Sequence, residues 1–151
     1  MKKILILVII VLVTSIGFYF LKNKDITKPE NPIASKGDLI VVDSPRIGDR
    51  ITSPLIIRGK ARGPWYFEAT FPVVLTNWDG LIIAQHYAQA QSEWMTTEFV
   101  PFETKLEFES PVFPGADKDH FSRRGTLILK KDNPSGLPEH DDALEFEVFF
   151  E

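Results

Sequence analysis

Ser53–Thr76, SPLIIRGKARGPWYFEATFPVVLT, decides the fold of this chain. In its first half Leu55, Ile57, Gly59 and Ala61 fall on one face, and Ile56, Arg58, Lys60 and Arg62 on the other. After Gly63-Pro64, Trp65, Phe67, Ala69, Phe71, Val73 and Leu75 share a face, opposite Tyr66, Glu68, Thr70, Pro72, Val74 and Thr76. A period of two over this length marks strands with one buried face, because successive side chains of a strand point to opposite sides of its sheet.

The same pattern extends outward in both directions. Asp38–Asp43 (DLIVVD) reads as a first strand, and Ser44-Pro45 and Gly48-Asp49 supply turns before the central pair. Asn77-Trp78-Asp79-Gly80 is a strong hairpin signal, with Leu81–Ala90 as the return strand. Glu98–Glu109 reads as a strand whose Pro101 predicts a kink, bulge or edge, since proline cannot donate to a ladder. A long loop, Ser110–Ser122, leads to a strand at Gly125–Lys131; a polar loop, Asp132–Asp142, leads to a closing strand at Ala143–Glu151. Short strands in this number, without a long amphipathic helix, predict an all-β antiparallel sandwich of about seven strands over residues 38–151.

Upstream the chemistry changes. Ile4–Leu21 is an almost continuous apolar run of 18 residues behind a short basic head, Met1–Lys3. As a helix it would span about 27 Å, close to the hydrocarbon core of a bilayer. It ends Phe18-Tyr19-Phe20-Leu21-Lys22, aromatics then lysine, which suits an interfacial belt better than a signal-peptidase site. Residues 1–21 are therefore expected to be an uncleaved transmembrane signal-anchor, and 22–37, with Pro29 and Pro32, a flexible linker. This layout predicts a single-pass protein of the cytoplasmic membrane with its domain on the extracytoplasmic side.

Charge separates the two parts. Residues 1–37 hold six Lys and two acids, whereas residues 38–151 hold eleven Lys/Arg and nineteen Asp/Glu. An acidic domain is a poor phosphate binder, so no nucleic-acid partner is expected. The chain has no cysteine, which excludes disulfides, thiolate metal sites and thiol nucleophiles.

Ile40-Val-Val-Asp-Ser-Pro45, Ser53-Pro-Leu-Ile-Ile-Arg-Gly59, Trp65-Tyr-Phe-Glu68, Phe71-Pro-Val-Val-Leu75, Trp94-Met95, Phe99-Val-Pro-Phe102 and Lys131-Asp-Asn-Pro-Ser-Gly136 stand in an ordered series. The series resembles the Gmad2 family, immunoglobulin-like domains named from bacterial spore-germination proteins, over roughly Leu39 to Phe150. The resemblance implies an immunoglobulin-like sandwich acting at or outside the membrane, with no established enzymatic activity.

Candidate binding residues follow from side-chain chemistry. Trp78, in a turn, and Trp94 offer aromatic faces for a sugar ring, whereas Trp65 shares a face with Phe67, Phe71 and Val73 and reads as core. Arg58 and Arg62, with Lys60, form a basic stripe that could meet an anionic polymer. Glu68 is either a binding carboxylate or the structural partner of Arg58 or Arg62; as half of a hydrolytic acid–base pair it would need a second carboxylate. Asp117, Asp119, Glu139, Asp141 and Asp142 lack calcium-loop spacing, and His86, His120 and His140 lack zinc spacing, so no metal or cofactor is expected. These features predict a non-catalytic module that binds an envelope protein or a cell-wall glycan, or else a subunit that docks through a sheet edge.

Overall fold

The computed structural model describes residues 36–151; the expected membrane anchor and most of the linker lie outside the described residues. Eight strands form the domain: β1 (Ile40–Ser44), β2 (Arg50–Ile51), β3 (Leu55–Arg62), β4 (Thr70–Asn77), β5 (Ile82–Ala90), β6 (Phe99–Leu106), β7 (Arg124–Lys130) and β8 (Ala143–Phe150). Helical structure among these residues is limited to three short 3₁₀ turns, so the all-β expectation holds. Hydrogen bonding joins all eight strands into one sheet in the order β1-β3-β6-β5-β4-β7-β8-β2, rather than into two separate sheets of about seven strands in all. The additional strand is β2, two residues that pair in parallel with the end of β8.

The sheet curls around its own apolar face. Phe71 of β4 and Phe102 of β6 meet edge to face at 4.9 Å, although β5 lies between their strands. Phe108, just past β6, reaches Phe150 at the end of β8, with ring centroids 5.6 Å apart. The β5–β6 seam in the middle of the sheet is short, with pairs only at Gln89–Glu103 and Ala90–Phe102. Pro101 sits one residue beyond that short seam: it pairs with Lys60 of β3, and on the other side its carbonyl accepts from the Gln91 amide at 2.8 Å, the last bond between the two segments. Pro72 comes just before the β4–β7 ladder starts at Val73. Both prolines thus sit where a ladder begins or ends, Pro72 with its missing N–H on the side not yet paired and Pro101 at the last rung, where the missing N–H ends the β5–β6 seam.

The core is the alternating face read from the sequence. In β3, Leu55, Ile57 and Ala61 are buried, and in β8 so are Leu144, Phe146, Val148 and Phe150. Trp65 is buried as well, and its indole N–H is a buried donor without a partner among the described residues. Three glycines are required by close approach. A Cβ on Gly59 would collide with the Val41 carbonyl oxygen, one on Gly63 with the Thr96 carbonyl oxygen, and one on Gly125 would lie 2.6 Å from the Phe150 ring.

The expected strand over Trp65–Thr76 is corrected at its start. Gly63–Trp65 is a 3₁₀ turn, and Phe67 and Thr70 exchange both backbone hydrogen bonds (2.9 and 3.0 Å) around a two-residue hairpin of Glu68 and Ala69. Both turn residues have positive φ, 49° and 62°. That is the type I′ geometry matching the right-handed twist of the flanking strands, here built without its usual Asn or Gly. The reversal breaks the face pattern: Phe67 is exposed, whereas Tyr66, expected on the outer face, is buried and donates its hydroxyl to the Val100 carbonyl at 2.7 Å.

Candidate binding surface

At the end of the sheet where β4 finishes and β7 begins, two loops carry an exposed aromatic cluster. The β4–β5 hairpin supplies Trp78, and the β6–β7 connection supplies Phe113, His120 and Phe121. Trp78 is 42 % exposed, and Phe113 and Phe121 are each 46 % exposed. Trp78 meets Phe121 at 4.8 Å and 81°, and Phe113 at 6.2 Å and 87°; Phe113 meets Phe121 at 5.6 Å and 83°. Edge-to-face pairs of this kind contribute about 0.5–1.5 kcal/mol each beyond their buried area. The cluster therefore has a defined shape while half of each ring faces water.

Both loops are held by local hydrogen bonds. Asn77 turns its side-chain oxygen back to accept from the Asp79 and Leu81 amides, at 3.0 and 2.9 Å, and Gly80 takes the positive φ. This Asx-type lock fixes the turn that displays Trp78. In the other loop the buried Ser122 hydroxyl accepts from the Phe113 amide at 3.2 Å and lies 2.8 Å from His120 Nδ1. Because the Ser122 amide donates to the same Nδ1, that nitrogen is the acceptor, and the hydroxyl proton is directed to it. Arg123 then donates to the Asp117, Ala116 and Phe150 carbonyls (2.7, 3.1 and 3.2 Å), tying the loop to the end of β8.

The residues singled out from the sequence do not converge. Trp78 stands exposed in its turn and joins the cluster through Phe113 and Phe121. Trp94 is half-buried and packs against the core. Arg58 pairs across the sheet with Glu103 at 2.6 Å. Arg62 donates to the Asp38 and Thr97 carbonyls, lies 3.6 Å from Glu98, and covers the Phe99 ring at 4.1 Å. The expected Glu68 pairing with either arginine is therefore replaced by Glu103 and Glu98, because the hairpin carries Glu68 to an exposed turn tip. There Glu68 borders an open cleft with Phe67, His86, Tyr87 and Asp132, where nothing excludes water from a reacting bond. Asp117 and Asp119 lie in the β6–β7 loop and Asp141 and Asp142 beside β8's start, and among the described residues no acidic or histidine group is placed to hold a metal.

Phe113 and Phe121 were absent from the sequence-derived candidates. They lie in a loop, where periodicity carries no information, and the one available signal was two phenylalanines in an otherwise polar, proline-rich stretch.

The family model for Gmad2, an immunoglobulin-like domain of bacterial spore germination, matches residues 39–117. This chain belongs to the Gmad2 family. The match runs from the residue before β1 into the β6–β7 loop, so it includes Trp78 and Phe113 and stops short of Phe121, β7 and β8. Gmad2 is an immunoglobulin-like domain and not a known enzyme family. No curated protein and no solved structure matched the chain.

Proposed function

We propose that this Gmad2 protein is a membrane-anchored, non-catalytic interaction module of the bacterial cell envelope, and that it contacts a protein partner through Trp78, Phe113 and Phe121. The observation carrying this reading is the exposed aromatic cluster on two hydrogen-bonded loops. Monomeric surfaces rarely leave aromatic side chains gathered in water, and tryptophan in particular is concentrated at the energetic centres of protein interfaces. Between protein and cell-wall glycan, the ring geometry favours protein. A sugar face needs a flat platform, whereas these three rings stand 81–87° to one another and form a knob. A knob fits an apolar pocket.

The cluster lies at the far end of the sheet from the point where the linker enters. Lys36 pairs with Asp142 beside the start of β8, and the cluster lies by its other end, about 24 Å away along the strand.

Affinity capture with the full chain in detergent tests the reading. A partner retained by the native protein and lost from the Trp78→Ser, Phe121→Ser variant supports it; equal retention by both rejects it. Docking through the edge of β1 is the second reading, favoured by that strand having no neighbour on its outer side among the described residues. Equal retention is the result that reading expects.

A further inference from the structure

A second feature lies beside the aromatic cluster. Arg50 of β2 and Arg124 of β7 both pair in register with Phe149 of β8, so the three residues form one rung across neighbouring strands. All three belong to the face turned away from the core, which places the arginine Cα atoms about 10 Å apart with Phe149 between them. Gly48, Lys118 and His120 complete the walls of a cleft of about 310 Å³ over this rung. Asp119 also lines it, and Glu147 lies 4.0 Å from Arg124 at the limit of an ion pair.

Lightly engaged cations also occur elsewhere, but Lys130 and Lys131 line a cleft with three acids, Asp141, Asp142 and Glu145, whereas here the cations outnumber the carboxylates. Of the other cations, Arg58 is taken by Glu103, Arg62 by two carbonyls and a ring, Arg123 by three carbonyls and Lys105 by Glu107. Here Lys118 meets only the adjacent Asp119, at 3.7 Å with both side chains more than 80 % exposed. Arg124 has the distant Glu147, and Arg50 makes no ion pair or side-chain hydrogen bond with the other described residues. Three cations therefore face one carboxylate across the cleft, with a second at its margin. Two guanidinium forks flanking an aromatic floor suit an oxyanion with paired acceptor oxygens. His120 is common to both features: it lines the cleft, and its ring lies 4.3 Å from that of Phe121.

We infer that Arg50, Arg124 and Lys118 form a carboxylate-binding cleft, and that the partner is a protein segment in which acidic residues flank the apolar group received by the aromatic knob. This rests on the reading proposed above and adds the partner's charge. A peptide supplies both features within a few residues, at the spacing that separates Phe121 from the cleft through the single intervening His120.

The test uses the full chain in detergent and fluorescence polarisation of two labelled eight-residue peptides, one alternating Glu with Leu and its isostere alternating Gln with Leu. The acidic peptide is expected to bind at least tenfold tighter than the Gln peptide, and to weaken about tenfold with either Arg50→Gln or Arg124→Gln. Added salt should erode that preference. Equal affinity for the two peptides, or binding unmoved by both substitutions, overturns the inference. Tripolyphosphate binding the cleft while the acidic peptide does not overturns it in favour of a phosphate ligand. Sedimentation of the native chain as a dimer that Arg50→Gln dissociates overturns it in favour of a second copy. The substituted arginines are exposed, and unchanged thermal melting confirms that each variant is folded. Retention of the affinity-captured partner by Arg50→Gln, Arg124→Gln but not by Trp78→Ser, Phe121→Ser would remove the carboxylate cleft and leave the aromatic surface standing.

Discussion

Replacing Ala69 with glycine should stabilise this domain, against the usual effect of glycine in a strand-rich protein. Ala69 holds φ 62° in the hairpin between Tyr66 and β4, and its carbonyl accepts from the Ala90 amide at 2.9 Å, so the backbone is not free to relax. An L-residue in this left-handed region costs about 1–2 kcal/mol, which glycine avoids. Glycine in turn raises the entropy of the unfolded chain, a loss of about 0.5–1 kcal/mol on folding. The difference favours Ala69→Gly by about 0.5–1 kcal/mol, a rise in melting temperature of roughly 2–6 °C for a domain of this size. Ala88 is the control. It lies fully buried in extended β5, paired with Phe71. Ala88→Gly loses a buried methyl and pays the same chain entropy, about 1–2 kcal/mol in all. Denaturant unfolding of the full chain, followed by tryptophan fluorescence, should move the two midpoints in opposite directions. A fall in both would refute the type I′ assignment and with it the placement of Glu68 outside the sheet.

Three further outcomes are expected. Burial holds the Tyr66 phenol above its ordinary pKa of 10.0, because the phenolate would be desolvated. The unfolded chain therefore releases this proton first, and stability is expected to fall by about 1.4 kcal/mol per pH unit above pH 10 until the folded phenol ionises; Tyr66→Phe should flatten that alkaline limb in unfolding measurements. Gly125→Ala sets a methyl 2.6 Å from the Phe150 ring and 2.7 Å from the Thr76 carbonyl oxygen, and should cost about 1–3 kcal/mol by denaturant titration. Ser122→Ala removes the acceptor of the Phe113 amide and should cost about 1–2 kcal/mol while quickening hydrogen exchange at Phe113, with β3 unaffected.

How far the sequence could be read depended on periodicity. In β3 and β8 every second residue enters the core, so alternation located both strands and their faces. In β5 the pattern is weak, since Ile82, Gln85, His86 and Tyr87 are all exposed, and its identification rested on the Asp79-Gly80 turn before it. The alternation from Trp65 to Leu75 was misleading for a physical reason. Trp65 and Phe71 are both buried, but a 3₁₀ turn and a hairpin lie between them, and the same spacing of apolar residues serves either path. The β2–β8 pairing was illegible, because two residues carry no period. The candidate surface was half legible: turn chemistry exposed Trp78, whereas Phe113 and Phe121 are brought to it by the path of the β6–β7 loop, and the Arg50–Phe149–Arg124 rung by the pairing of β2 and β7 with β8.

Photo-crosslinking in intact cells bears most directly on the claim that the aromatic cluster is the contact surface. A benzophenone amino acid in place of Phe113 should give one dominant protein adduct, and the same group in place of Glu139, in the β7–β8 loop near the linker's entry, should give none. Adducts of equal yield at both positions, or no adduct at 113 with an adduct at 139, would contradict it.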